Sequence, residues 1–319
     1  MRKRAMINID ILILGGGVSG NLMTQRLKLS HSSPSYLVID KGEKSVHPFH
    51  LHKPISEISA LSELKSEWLE TNVYDGYKLK PKSNLLDCNN YSSKIYGELQ
   101  VTNLLMQDSI KIYPVKKEII ENLSLDVHND IIYEIDIKSY MAKGQKEIYY
   151  YKYLINTVSL PMFLKICNIK HKFDFKIYPY MVAKVKMNKT NMYQMIYNSH
   201  SNYKIRRTTL LDDELYIESN SNVLNDCDKS FLKMMYFIDP AVRIDFQHLS
   251  PGKFRYLDNK KRKALFYYLT AKYDIFCLGR YGAWTHKVTN DVWDDTKQIS
   301  DWIYAKEQVD QYEKGRKND

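Results

Sequence analysis

A chain of 319 residues, 44% of them aliphatic or aromatic, is long enough for one or two domains with a large core. No apolar run approaches the ~18 residues that a membrane span needs, and the four cysteines (Cys88, Cys167, Cys227, Cys277) are scattered with no Cys-x-x-Cys pair, which argues against a disulfide framework or a metal site. The formal net charge of +10 points to an anionic partner (a nucleotide, an acidic metabolite or a nucleic acid), although Lys, Ile, Asn and Tyr dominate here as an AT-rich genome would impose on any protein.

The basic Met1-Arg2-Lys3-Arg4 runs into Ile9–Leu14, an apolar run that reads as a strand buried on both faces rather than as a signal peptide, so the expected location is cytoplasmic. That strand enters Gly15-Gly16-Gly17-Val18-Ser19-Gly20, a G-x-G-x-x-G turn, and a helical pattern follows with Leu22, Met23, Leu27 and Leu29. A second strand, Tyr36–Ile39, ends in Asp40. Strand, turn, helix and acid in this order predict a dinucleotide site. Gly15 makes the sharp turn, Gly17 admits a pyrophosphate to the backbone, and Gly20 lets helix and sheet approach. Unpaired N–H groups at the helix start, Val18 and Ser19 among them, hold the phosphates, and Asp40 with Lys41 faces the ribose.

The proline-bounded segment 41–54 reads as a loop; its histidines (His47, His50, His52) lack carboxylates or cysteines at matching intervals, so no metal is expected, and His50 is a candidate substrate contact. Apolar positions Ile55, Ile58, Leu61, Leu64, Trp68 and Leu69 predict a helix over 55–71, and Ile95, Leu99, Leu104 and Leu105 another over 91–106. Strands are expected at 110–115, 131–137, 147–151 and 152–158, then a short helix at 162–167. Residues 168–250 alternate strand-like pieces (177–187, 192–197, 204–211, 214–219) with polar turns and one helix at 228–237, which together read as an antiparallel sheet plus helix. Arg206-Arg207 within it is either a substrate contact, with Tyr178, or a solvated strand edge. A helix at 260–268, a buried strand at 275–278 and a terminal helix from about 293 to 314 complete the chain.

Three segments resemble the FAD-dependent amine oxidase superfamily, in particular protoporphyrinogen oxidase-like and UDP-galactopyranose mutase-like flavoproteins. They are the Gly15–Gly20 turn, Leu154-Ile155-Asn156-Thr157-Val158-Ser159-Leu160-Pro161, and Leu278-Gly279-Arg280-Tyr281-Gly282-Ala283-Trp284. They occur in the superfamily's order and cover about a seventh of the chain. The resemblance implies FAD as the dinucleotide, with Val115 at adenine, Thr157, Gly279, Arg280, Tyr281, Gly282 and Trp284 along the ribityl chain and flavin, and Val292, Trp293 and Asp294 at a helix start facing the flavin. The chain departs from the pattern in carrying Asp40 where a glutamate is usual, and in lacking the glycine pair and arginine that follow it.

The expected fold is α/β: a Rossmann-like FAD/NAD(P)-binding domain (1–60, 100–167, 260–319) with a smaller α+β antiparallel-sheet substrate domain (61–99, 168–259). The expected function is an FAD-dependent oxidoreductase of the amine-oxidase type that oxidises a C–N or C–C bond of an anionic substrate. Two alternatives stay open: a non-redox flavin mutase acting on a nucleotide-sugar, and a flavoenzyme that modifies a base in nucleic acid, with Arg206-Arg207 and Lys260-Lys261-Arg262-Lys263 tracking phosphates. No acid or base for catalysis stands out.

Overall fold

The computed structural model describes residues 4–30, 34–42, 49–52, 55–58, 67–99, 110–116, 127–248 and 252–316. The chain divides into two compact units, one of residues 1–62, 115–175 and 256–319, the other of residues 63–114 and 176–255. Among the described residues no helix is long and apolar enough to cross a membrane.

The first unit is built on strand Ala5–Leu14, whose last four residues are buried as their Ile/Leu content demands. It pairs in parallel with Tyr36–Asp40 on one side and Glu147–Asn156 on the other, and Tyr36–Asp40 pairs in parallel with Val127–Asn129. Glu147–Asn156 is one continuous strand where the sequence suggested two, because each half has its own neighbour. Ile148–Tyr150 pairs antiparallel with Met141–Lys143 of the hairpin Ile132–Asp136/Met141–Gly144, and Leu154–Asn156 pairs in parallel with Ile275–Cys277. Helix Val18–Leu29 follows the first strand and packs against the terminal helix Thr289–Arg316. Its apolar face, Leu22, Met23 and Leu27, is at most 4% exposed.

The hairpin is anchored by Asp130, a buried carboxylate at its entry. It accepts hydrogen bonds from the N–H groups of Ile131 (2.7 Å), Lys146 (3.1 Å) and Glu147 (3.3 Å) and from the Tyr149 hydroxyl (2.8 Å). Burial alone would push its pKa up, but the Tyr149 hydroxyl and the three backbone N–H groups more than offset that and hold it below the ordinary carboxylate value. The unfolded chain therefore binds the proton more tightly than the folded one, so this contribution is complete above the unfolded carboxylate range and is lost as pH falls through the depressed value. Asp130→Asn is expected to cost about 2 kcal/mol at neutral pH and to flatten the acid limb of stability, read by urea unfolding between neutral and acid pH. An unchanged acid limb would assign the loss to other carboxylates.

The second unit is a mostly antiparallel sheet in the order 247–248, 181–186, 214–219, 205–211, 193–198, 67–74, with 193–198 and 67–74 parallel. Helix Asp226–Tyr236 covers one face, where Ile196, Ile205, Leu210, Leu215 and Ile217 pack with Phe231 and Leu232. Its start is a reciprocal cap, Asn225 accepting from the Asp228 N–H while the Asp228 carboxylate accepts from the Asn225 N–H. Helix Leu85–Tyr96 opens with the same device at Asn84 and Asp87, and ends at Gly97, which adopts φ +69°.

Two expected helices are corrected here. Residues 67–71 belong to strand Glu67–Tyr74, not to the end of a helix, because this segment pairs with 193–198 on one side and 110–112 on the other; Thr71, Val73 and Tyr74 suit a half-buried strand. The later helix begins six residues earlier than expected and stops at Gly97, and 100–106 lie outside the described residues.

Candidate FAD-binding site

The glycine turn connects strand Ala5–Leu14, buried over its last four residues, to helix Val18–Leu29. Gly15 sits at φ +100°, a conformation costly for any residue with a Cβ, and donates its N–H to Ile39 O at 2.8 Å. A Cβ on Gly20 would lie 2.0 Å from Gly15 O, so turn and helix touch through bare backbone. Gly17 differs from both: a Cβ there would meet nothing within 4 Å. It is also the N-cap of the helix, with no side chain bonded to the cap and no acidic residue in the first turn. The positive end of the helix thus faces open space beside a residue without a side chain. This is the condition under which backbone N–H groups can receive a phosphate.

Asp40 is positioned by the same turn. Its Oδ2 accepts from the Gly16 N–H at 2.7 Å and its Oδ1 from the Gly42 N–H at 2.8 Å. A carboxylate offers about four acceptor positions, so each oxygen keeps capacity for a ribose hydroxyl. Lys41 is exposed beside it.

The three segments singled out in the sequence meet at this turn. Thr157 donates its N–H to Leu14 O at 2.9 Å, and its hydroxyl lies 2.7 Å from Leu14 O and 3.1 Å from Gly15 O. Its side chain therefore braces the turn. Leu278 N–H donates to Asn156 O at 2.8 Å, and a Cβ on Gly282 would lie 2.5 Å from that same carbonyl. Gly279, at φ +80°, lies so near Ser19 that a Cβ would fall 1.9 Å from the Ser19 Oγ. Residues 260 positions apart in the chain are in van der Waals contact. The Arg262 guanidinium donates to Ala283 O at 2.9 Å and fixes the end of the Gly279–Gly282 turn.

The other candidates lie in varied surroundings. Arg280 is half-buried, beside the Tyr281 ring at 5.9 Å, and its charge opposes the rise that burial imposes on the Tyr256 pKa. Trp284 is buried at φ +46° with its ring edge-on to Phe175 at 5.0 Å. Val292 and Trp293 are buried and Asp294 is exposed. The Trp293 indole lies 3.7 Å from the Arg26 guanidinium, eight residues along the helix from Val18 and hence about 12 Å from its start. The side chains of His50 and Val115 lie outside the described residues; their backbones belong to strands Phe49–His52 and Ile110–Lys116.

In the second unit Tyr178 is half-buried, edge-on to Tyr96 at 5.2 Å. Arg206 and Arg207 are not a solvated edge: Arg206 is fully buried, and Arg207 forms an ion pair with the buried Glu218. A hollow of about 470 Å³, lined in part by Leu232, Ile238 and Phe246, involves none of the residues picked from sequence. Asn156 was missed. It is fully buried and its carbonyl accepts from Leu278, and its signal was a polar residue closing the apolar run Leu154-Ile155.

The fold is α/β, with a Rossmann-type arrangement of strand, glycine turn and helix in the first unit. No family profile matches the sequence, and a search of curated proteins returns no relative. Among solved structures the chain is similar to a reduced UDP-galactopyranose mutase (TM-score 0.60, 12% identity, 93% of this chain and 96% of that one). It is also similar to a protoporphyrinogen oxidase-like protein from Exiguobacterium sp. 255-15 (TM-score 0.62, 10% identity, 94% and 99%) and to a putrescine oxidase (TM-score 0.58, 10% identity, 94% and 100%). At these identities the likeness is one of fold.

Proposed function

We propose that this chain is an FAD-dependent oxidoreductase of the amine-oxidase type, acting on a C–N or C–C bond of an anionic small molecule. One observation carries the reading: the three superfamily-like segments converge on an uncapped helix N-terminus with open space at Gly17. These residues fit the adenosine diphosphate half of FAD. The N–H groups from Gly17 to Gly20 would hold the pyrophosphate and Asp40 the ribose hydroxyls. Gly279, close to Ser19, and Gly282, close to Thr157, would lie along the ribityl chain with Arg280 and Tyr281 between them. Arg280 would bring a positive charge that offsets negative charge on a reduced ring. When bound, FAD supplies the hydride acceptor; the protein's part is orientation, exclusion of water and electrostatics.

The second unit, with the buried Arg206, is the proposed seat of substrate recognition. A nucleotide-sugar or a nucleic-acid base would also bring negative charge, and the likeness to the mutase keeps a non-redox use of the flavin as the second reading. The test is the absorbance spectrum of the purified protein. Bands near ~375 and ~450 nm, with FAD released on denaturation, are expected. Anaerobic bleaching by a substrate would mark an oxidoreductase, whereas turnover only after chemical reduction would mark a mutase. A colourless protein that fails to take up added FAD would end the flavoenzyme reading.

A further inference from the structure

The strand 205–211 carries an irregularity between Ile205 and Arg207: Ile205 lies opposite Ser219, yet Arg207 lies opposite Glu218, so one extra residue, Arg206, is inserted. In such a bulge two consecutive side chains turn toward the same face of the sheet. Ile205, Thr208 and Leu210 point to helix Asp226–Tyr236: Ile205 and Leu210 join its apolar core and the Thr208 hydroxyl meets that of Tyr236 at 2.6 Å. Arg206 and Arg207 are therefore both delivered to the opposite face. Arg207 is matched there, its guanidinium bonded to the Glu218 carboxylate and 3.4 Å from the Tyr197 hydroxyl.

Arg206 is not matched. It is 0% exposed, its guanidinium carbon lies 4.2 Å from the centroid of the Tyr180 ring, and among the described residues none of its three nitrogens has a hydrogen-bond partner. The Thr209 hydroxyl, two residues beyond Arg207 on the same face, is likewise buried and has no partner among the described residues. The adjacent Lys94, bonded to Asn198 O and Ile205 O, offers Arg206 no counter-charge; burial pushes its pKa down to about 7 against the pull of Asp228, so it is not a second full cation of the cluster. Against Glu218, the two arginines leave one positive charge unmatched. An isolated buried cation is among the most costly groups a fold can hold, and it persists where something pairs with it.

We infer that Arg206 is an anion subsite of the second unit that takes a single carboxylate of the substrate. The guanidinium fork matches a planar carboxylate with two parallel N–H bonds, one residual charge calls for a monoanion, and the Tyr180 ring under the guanidinium, with Tyr197 nearby, suits an aromatic acid. Glu218 is the residue that makes the subsite singly charged, because it withdraws Arg207 from ligand binding. Arg206 is fully covered, so the anion reaches it through local opening and associates more slowly than an ordinary docking ligand. The subsite rests on the flavoenzyme reading for the identity of what it holds as a substrate, but not for the binding itself.

The experiment is calorimetric titration of the full-length protein with sodium benzoate and, separately, with inorganic phosphate, each with and without added FAD. Benzoate is expected to bind, with phosphate at least ~10-fold weaker. Arg206→Lys, which keeps the charge and loses the fork, is expected to weaken benzoate about 10-fold, and Arg206→Met about 100-fold. Glu218→Gln, by freeing Arg207, is expected to shift the preference toward phosphate. Arg206→Met should also raise the melting temperature of the ligand-free protein, since it removes an unpaired buried charge. Should Arg206→Met fail to fold, Arg206→Lys alone decides the matter. Equal benzoate affinity in wild type and Arg206→Lys, or a wild type that binds no benzoate, would overturn the subsite; tighter binding of phosphate by the wild type would overturn the carboxylate assignment. Benzoate binding by a protein that takes up no FAD would uphold the subsite while the flavoenzyme reading fails, and a flavin-loaded protein blind to benzoate would do the reverse.

Discussion

Gly17→Ala is expected to fold as the wild type does and yet to lose FAD. The backbone of Gly17 is at φ −73°, ψ −169°, a conformation open to alanine, and the added methyl would meet nothing within 4 Å. Alanine is a poorer N-cap than glycine by about 0.5 kcal/mol, a shift of no more than about 3 °C in the melting temperature of the flavin-free protein. The space the methyl would enter is the one the pyrophosphate must use. Titration of the flavin-free protein should therefore show FAD affinity lower by about 100-fold, or ~2.7 kcal/mol. Gly20→Ala is the opposite case. Its methyl would lie 2.0 Å from the Gly15 carbonyl, so helix and turn must part and stability falls whether or not flavin is present. An unchanged FAD affinity in Gly17→Ala would remove the pyrophosphate from this turn and, with it, the main support for the cofactor.

The contrast between these two glycines shows which parts of the molecule a sequence makes visible. The strand, the turn, the helix and Asp40 occupy 32 consecutive positions, from Ile9 to Asp40, and their roles follow from local backbone geometry. The Gly279–Trp284 run was recognisable only by its resemblance to a superfamily motif. Its contact with Ser19 was not, because nothing local to either segment specifies a partner 260 residues away. Glu67–Tyr74 misled for a related reason: apolar residues three and four apart suggested a helix, but pairing with neighbours on both sides decided for a strand. Arg206-Arg207 is the sharpest case. Alternation would send adjacent arginines to opposite faces, and charge would put them in water. The bulge sends both to one face, and burial of Glu218 gives only one of them a counter-ion. A one-residue irregularity in strand pairing leaves no mark on composition or periodicity.

The contact between the two ends of the chain supports the second large effect. Gly279→Ala is expected to destabilise the protein by about 3 kcal/mol, from the cost of a left-handed conformation and a steric clash. Gly279 is at φ +80°, and its new methyl would lie 1.9 Å from the Ser19 Oγ and 2.7 Å from the Ser19 Cβ. The hydroxyl can rotate away, but the Cβ is fixed by the helix, so Ser19→Ala would not relieve the clash and Ser19→Gly would. Ser19→Gly alone costs about 0.5 kcal/mol in helix propensity. The two changes should then be non-additive: the double variant is expected to recover about 1–2 kcal/mol of the sum of the single losses, leaving the backbone strain at position 279. Urea unfolding of the four proteins without flavin measures this coupling. Retained FAD should follow the same order, because Ser19 belongs to the turn proposed for the pyrophosphate and Gly279 to the run proposed for the ribityl chain. Strict additivity would mean that the Gly279 run does not rest on the glycine turn, and the two segments could not then enclose one dinucleotide.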